Sequence, residues 1–173
     1  EFREFERTST TVLNALLMPV VGDYLKRLGA RLTDHGLTAP VYLVQSNGGV
    51  ATPQMAARHP ARLLLSGPSG GAKAAETIAH RLGRLNLVAV DMGGTSYDVS
   101  LVEDGRVHQV NQGEVDGCPV RLPMVEMRTI GAGGGSVART DTAGGLYVGP
   151  ESAGAVPGPA CYDRGGKRPT VTD

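Results

Sequence analysis

The stretch Asp91-Met92-Gly93-Gly94-Thr95-Ser96-Tyr97-Asp98 constrains the fold most, because it sets paired glycines and hydroxyl residues between two apolar runs. Asn86–Val90 reads as a buried strand that delivers Asp91 to its end. Asp98–Val102 alternates in the manner of a return strand, and Asp104-Gly105 supplies a two-residue hairpin turn into Arg106–Val110. Upstream, Ala61–Leu65 reads as another buried strand. It runs through Ser66-Gly67-Pro68-Ser69-Gly70-Gly71 into a helix of small and apolar residues ending near Leu82. The order strand, helix, strand, tight turn, strand, hairpin, strand predicts a mixed α/β fold, not an all-parallel sheet.

Each residue type in the turn has a physical use. Glycines let backbone N–H groups approach phosphate oxygens with no Cβ in the way. The Thr95 and Ser96 hydroxyls add donors. Asp91 cannot usefully touch a phosphate, but it can hold a Mg²⁺-bound water or orient a nucleophile beside one. Gly93, Gly94, Thr95, Ser96 and Asp98 are therefore the candidate nucleotide-phosphate residues. Asp91 is the candidate catalytic residue and, through water, the candidate Mg²⁺ residue. The competing reading is an ordinary β-hairpin with a glycine turn.

The chain before this motif is helical at its start. Val12, Leu16, Val20, Tyr24, Leu28 and Leu32 fall at helical spacing and predict one apolar face over Thr11–His35. Ser9 or Thr10 is the expected cap, Pro19 a kink or break, and Gly36 the stop. Val41–Val44 is a short apolar run ending in Gln45-Ser46-Asn47-Gly48-Gly49, which reads as cleft lining or as a plain turn. Thr52-Pro53 predicts an N-cap and N1 proline opening a brief helix to Arg58. Ser66–Gly71 is either an anion-facing helix start or a site of close packing on the sheet.

After Gly113 the helical periodicity stops. Val120–Ile130 reads as extended, held to an edge or loop by Pro119 and Pro123. Gly131-Ala132-Gly133-Gly134-Gly135-Ser136 is a second glycine loop, facing a substrate or letting two segments pack closely. Val137–Thr140 and Leu146–Val148 flank a hairpin turn at Thr142–Gly145, and Gly149–Pro169 reads as irregular. The expected organisation is residues 1–112 as one part and 113–173 as a Gly/Pro-rich continuation. With no initiator Met and an end at Pro-Thr-Val-Thr-Asp, the sequence reads as a segment of a larger protein.

With 17 basic and 17 acidic residues the net charge is zero, which argues against nucleic acid or an anionic membrane surface as partner. No apolar run approaches the roughly 18 residues of a membrane span. Cys118 and Cys161 match no metal spacing and read as reduced thiols of a cytoplasmic protein, Cys161 as a packed one. His35, His59, His80 and His108 show no ligand spacing and read as surface residues.

The turn at Asp91–Asp98, with the helix before it and the hairpin after it, resembles the second phosphate motif of the actin, heat-shock-chaperone and sugar-kinase ATPase superfamily. More narrowly, the chain resembles the hydantoinase A and 5-oxoprolinase family. The matching stretches are Arg7–Thr11, Gln45–Val50, Leu65–Gly71, the Asp91–Ser96 turn, Thr129–Ala138 and Val148–Tyr162. Tyr97 departs from the Thr more common in the family, and only a local packing change is expected from it. The resemblance implies a piece of an actin-like (ribonuclease H-like) ATPase fold using ATP and Mg²⁺. It implies ATP-dependent hydrolysis of a cyclic amide through phosphorylation of the amide oxygen. A hydantoinase B-type subunit or domain is the implied partner. Related carboxylases use the same activating step, and a non-catalytic actin-like module is the remaining alternative. The superfamily's earlier phosphate loop and later adenosine-binding glycine motif are not found in this stretch.

Overall fold

The structure, a computed structural model, describes residues 2–115 and 117–173. In chain order its elements are α1 (Glu4–Asp34), β1 (Leu43–Val44), β2 (Val50–Ala51), α2 (Pro53–Arg58), a 3₁₀ turn (Pro60–Leu63), α3 (Ser66–Leu82), β3 (Leu87–Met92) and β4 (Tyr97–Glu103). Then follow β5 (Arg106–Val107), β6 (Gln109–Val110), β7 (Gly113–Val115), β8 (Cys118–Val120), β9 (Met124–Val125), β10 (Arg128–Ile130), β11 (Ser136–Thr140), β12 (Leu146–Ser152) and a second 3₁₀ turn (Ala160–Tyr162). They group into two compact units, Glu1–Leu87 with Leu101–Glu126, and Val88–Ser100 with Met127–Asp173. These units do not coincide with the change in composition at residue 113. The fold is mixed α/β with several small antiparallel sheets.

In the first unit, α1 begins earlier than its apolar spacing predicts. Glu4 and Glu6 lie in its first turn and Arg31 in its last, charges that oppose the helix dipole at both ends. Thr10, an expected cap, is instead inside the helix, where its hydroxyl donates back to the Glu6 carbonyl at 2.6 Å. Pro19 does not divide α1, which runs as one helix through it. The helix packs along its length on α2, the first 3₁₀ turn and β8, and those contacts outweigh the one backbone bond a proline removes. Gly36 ends it as expected. At φ 81° it lets its own N–H reach the Thr33 carbonyl, and the Leu37 N–H reach that of Leu32.

The packed face of α1 differs from the predicted one. Leu25 is buried with Ala51 and Ala56, and Val21, Leu28, Leu43, Ala57 and Leu63 pack around them. Val12, Leu16, Val20 and Tyr24 are exposed. A row at every fourth residue drifts around a 3.6-residue helix, so its first members leave the face that its last members occupy.

Ala61–Leu65 is not a strand. Pro60 opens a 3₁₀ turn there, and the carbonyls of Arg62 and Leu64 point at Ser46 rather than at a sheet neighbour. A five-residue stretch that is mostly apolar carries no period that separates the two outcomes. Ser46, 1% exposed, ties the unit together. Its N–H donates to the Arg62 carbonyl at 2.7 Å, and its own carbonyl accepts from Val125 N–H at 2.8 Å and from the Ser69 hydroxyl at 2.9 Å. Ser69, Ala72 and Ala79 are the buried residues of α3, so small side chains there serve close packing. The predicted turn Asp104-Gly105 is present, with φ 50° and 75°.

In the second unit the sheet order is β10-β4-β3, with Thr129 opposite Asp98 and Ile130 opposite Tyr97. β3 is an edge strand and is not buried: Val88 and Val90 are 61% and 55% exposed. An apolar run records that a strand is suited to being covered, not that the cover lies in the same stretch of chain. β11 and β12 form the predicted hairpin, closed by Asp141, whose carboxylate accepts from the N–H groups of Ala143 and Gly145. Among the described residues no helix is long and apolar enough to cross a membrane.

The helical glycines give a paired expectation. Nothing lies within 4 Å of a Cβ built on Gly22 or Gly29, and neither has a positive φ, whereas Gly36 does. Gly22→Ala and Gly29→Ala each raise unfolding free energy by about 0.5–1 kcal/mol. Gly36→Ala lowers it by about 1–2 kcal/mol. Denaturant unfolding of the three variants checks both signs, and a destabilised Gly22→Ala would contradict the helix geometry.

Candidate functional site

The glycine turn lies between β3 and β4 as the sequence predicts, and a connection this short can only reverse the chain. Gly93 N–H closes it onto the Ser96 carbonyl at 3.0 Å. Asp91, Gly93, Gly94 and Thr95 are exposed, and Ser96 and Asp98 are half-buried. Neither Gly93 nor Gly94 has a positive φ, and a Cβ on Gly94 would meet nothing within 4 Å. Backbone strain and packing inside the chain thus leave Gly94 unexplained; close approach from outside does not. Among the described residues, the N–H groups of Gly94, Thr95 and Ser96 have no backbone or side-chain acceptor. The Asp91 carboxylate likewise makes no hydrogen bond or ion pair among them. Asp98 is different: its Oδ1 accepts from the Thr129 hydroxyl at 2.6 Å, directly across the β4–β10 ladder.

The second glycine loop packs against the first. Gly134 N–H donates to the Gly93 carbonyl at 2.9 Å, and Gly135 N–H to the Gly94 carbonyl at 2.7 Å. A Cβ on Gly133 would sit 2.7 Å from Gly93 O and from Thr95 N. Gly133, Gly135 and Ser136 are buried. Of the two readings of Gly131–Ser136, close packing is the one these contacts satisfy. Thr172 holds the far side, its N–H and its hydroxyl donating to the Gly134 carbonyl at 3.0 and 2.8 Å.

The Asp173 carboxylate gathers the neighbouring irregular chain. It accepts from the N–H groups of Cys161 (2.6 Å), Thr170 (2.8 Å) and Ala160 (3.2 Å) and from the Thr170 hydroxyl (2.9 Å). These donors, the Cys161 N–H foremost, hold its pKa far below the ordinary Asp range. Cys161 is exposed rather than packed, and the hydrogen bond that its thiol donates to the Asp173 carboxylate pushes the thiol pKa up. That is the wrong direction for a nucleophile. Thr129, Thr172 and Asp173 escape sequence reasoning because each acts on a partner distant in the chain. For Thr172 and Asp173 the Thr/Asp-rich run 170–173 was the only local signal, as such side chains readily bond nearby backbone.

The remaining candidates resolve structurally. Gln45–Gly49 is a tight turn joining β1 to β2, with Gln45 N–H on the Gly49 carbonyl and Gly49 N–H on Asn47 Oδ1. His35, His59 and His80 are exposed, and His108 pairs with Glu103 at 2.7 Å. Among the described residues no group of three His, Cys, Asp or Glu side chains is arranged to hold a metal.

This chain belongs to the hydantoinase/oxoprolinase family, whose model matches residues 7–173. It is 43% identical over 173 residues to caprolactamase subunit alpha of Pseudomonas jessenii, a match covering 100% of this chain and 25% of that protein. It is 38% identical over 176 residues to the acetophenone carboxylase gamma subunit of Aromatoleum aromaticum, covering 98% and 23%. The crystal structure of the ATP-dependent caprolactamase from Pseudomonas jessenii superposes with a TM-score of 0.81 at 43% identity, over 99% of this chain and 25% of that one. The chain thus spans about a quarter of the length of these relatives.

The Asp173 clasp predicts an acid limit and a thiol effect. A depressed folded pKa contributes stability above the unfolded Asp value, and that contribution is lost as pH falls through the folded one. Amide exchange at Ala160, Cys161 and Thr170 is therefore slow from neutral pH down through the ordinary Asp range and accelerates only in stronger acid. In Asp173→Asn the same amides exchange faster at neutral pH, and Cys161 alkylates faster at pH 8 than in the parent. Unchanged alkylation would show that Asp173 does not govern the thiol.

Proposed function

We propose that this chain is part of the ATP-binding region of an ATP-dependent cyclic-amide hydrolase, and that it belongs to a longer actin-like chain. In that chain residues 1–112 carry the second phosphate motif and 113–173 continue the same domain. The observation that carries the reading is the turn at Gly93–Ser96, exposed through Thr95, whose Gly94 has open space where a Cβ would be and whose N–H groups from Gly94 to Ser96 lack acceptors among the described residues. The ATP dependence in the name of the caprolactamase relative supports it.

A lactam resists water because amide resonance makes its carbonyl a poor electrophile. Bound ATP would supply the γ-phosphoryl group that activates the amide oxygen, leaving ADP; two waters would be consumed after that, one in opening the ring at the C–N bond and one in releasing inorganic phosphate. The residues here serve the first half. The N–H groups of Gly94, Thr95 and Ser96, with the Thr95 and Ser96 hydroxyls, bind phosphate oxygens. Asp91, free of other partners among the described residues, takes a Mg²⁺-bound water. Asp98, tied to Thr129, keeps β4 in register beneath the turn. The acetophenone carboxylase relative favours one further reading, in which the same phosphorylation activates a ketone or bicarbonate. The subunit names of both relatives support a partner, which we take to be a hydantoinase B-type chain or domain that completes hydrolysis in the cytoplasm.

In the full-length enzyme, Asp91→Asn keeps shape and removes charge. Turnover of ATP falls on the order of 10²-fold or more, about 3 kcal/mol of transition-state stabilisation. The melting temperature stays near the parent's, because the exposed carboxylate has no partner to lose among the described residues. Steady-state ATP turnover and thermal melting on one preparation check this. A stable variant with parental turnover removes Asp91 from the site and favours a non-catalytic actin-like module.

A further inference from the structure

We propose that Gly133–Gly135 is a positioning element that fixes which side of each peptide in the Gly93–Thr95 turn faces a bound phosphate, and that Thr172 locks it. The inference rests on the phosphate reading of that turn. A short glycine-rich turn can present either its N–H groups or its carbonyls to a ligand, and a carbonyl aimed at a phosphate repels it. In a trans peptide the C=O and the following N–H point in opposite directions. Among the described residues the cis peptides are Gly149–Pro150 and Val156–Pro157, so the 93–94 and 94–95 peptides are trans. Their carbonyls are taken by the N–H groups of Gly134 and Gly135, at 2.9 and 2.7 Å. The N–H of Gly94 therefore points away from the Gly134 donor, and that of Thr95 away from the Gly135 donor. With both carbonyls engaged, flipping either peptide breaks a hydrogen bond.

The loop has little freedom of its own. Gly133 N–H donates to the Ser136 hydroxyl, and Ser136 N–H donates to the Gly133 carbonyl, each at 2.9 Å. The Gly135 carbonyl accepts from Ala153 N–H at 2.8 Å, and the Gly134 carbonyl accepts both donors of Thr172. Position 133 is the most sensitive, because its Cβ would strike backbone atoms of the turn itself, Gly93 O and Thr95 N, both at 2.7 Å. Gly131 belongs to the same glycine run, yet a Cβ there meets nothing within 4 Å, so it is an internal control. Thr172→Val removes one of the two donors to Gly134 while keeping shape, and Thr172→Ser keeps both.

The test is calorimetric titration of the full-length enzyme with Mg²⁺ and a non-hydrolysable ATP analogue, alongside thermal melting. Gly133→Ala is expected to weaken binding at least tenfold and Gly131→Ala less than twofold. Thr172→Val is expected to weaken binding several-fold, with Thr172→Ser restoring it to within twofold of the parent. A purely structural role would lower melting temperature without this pattern of affinities and rescue. Gly94→Val, which fills the open side of the turn, separates the two layers of the argument. If Gly94→Val abolishes binding while folded Gly133→Ala and Thr172→Val bind like the parent, the positioning role is wrong and the phosphate site stands. If the parent does not bind, or Gly94→Val binds normally, the phosphate reading falls and the positioning role with it. Should Gly133→Ala fail to fold, the Thr172 pair decides alone: parental affinity in folded Thr172→Val rejects the proposal.

Discussion

Two backbone hydrogen bonds, from Gly134 N–H to the Gly93 carbonyl and from Gly135 N–H to the Gly94 carbonyl, are the contact on which the second unit is organised. Each is worth only about 1 kcal/mol net. Their influence is geometric, since main chains this close leave no volume for a side chain at position 133 or 135. The glycines of the two runs thus answer different demands. Those at 133 and 135 are required by contact inside the chain, whereas nothing among the described residues requires Gly94. That division separates a supporting loop from a ligand-facing one, although the two look alike in composition.

The first unit relies on a side chain for the same purpose. Ser46 sits where the β1–β2 turn, the chain after the first 3₁₀ turn, α3 and β9 converge, and it bonds to three of them. Its hydroxyl satisfies carbonyls that a strand would have paired with a neighbour, and this is why the Ala61–Leu65 run has no ladder. A buried carbonyl must find a donor somewhere, and here a serine supplies it.

What was legible in the sequence was what local chemistry decides. Thr52 caps α2 by accepting Met55 N–H at 3.3 Å, with Pro53 behind it, because cap and proline act within four residues of each other. Gly36 and the Asp104-Gly105 turn were readable for the same reason: each marks a positive φ. The turn at 93–96 was readable from its spacing of glycines and hydroxyls. The exposed Val88 and Val90 and the packed side of α1 were not, because burial depends on what covers a surface. Nor were the supports of the site. Thr129 on Asp98, Thr172 on Gly134 and Asp173 on Cys161 are pairings across the fold, and no local pattern names the partners.

The grip of Asp173 on Ala160, Cys161 and Thr170 also says something about where this chain tolerates change in length. The exposed residues Asp163, Arg164 and Gly165 leave and return through a neck that the carboxylate already holds shut. For a loop closed at its base, each doubling of length costs only about 0.6 kcal/mol of closure entropy. Extra residues beside Arg164 would therefore hang from the clasp like a pendant, lengthening the outline of the molecule while the main-chain bonds around Gly134 stay as they are.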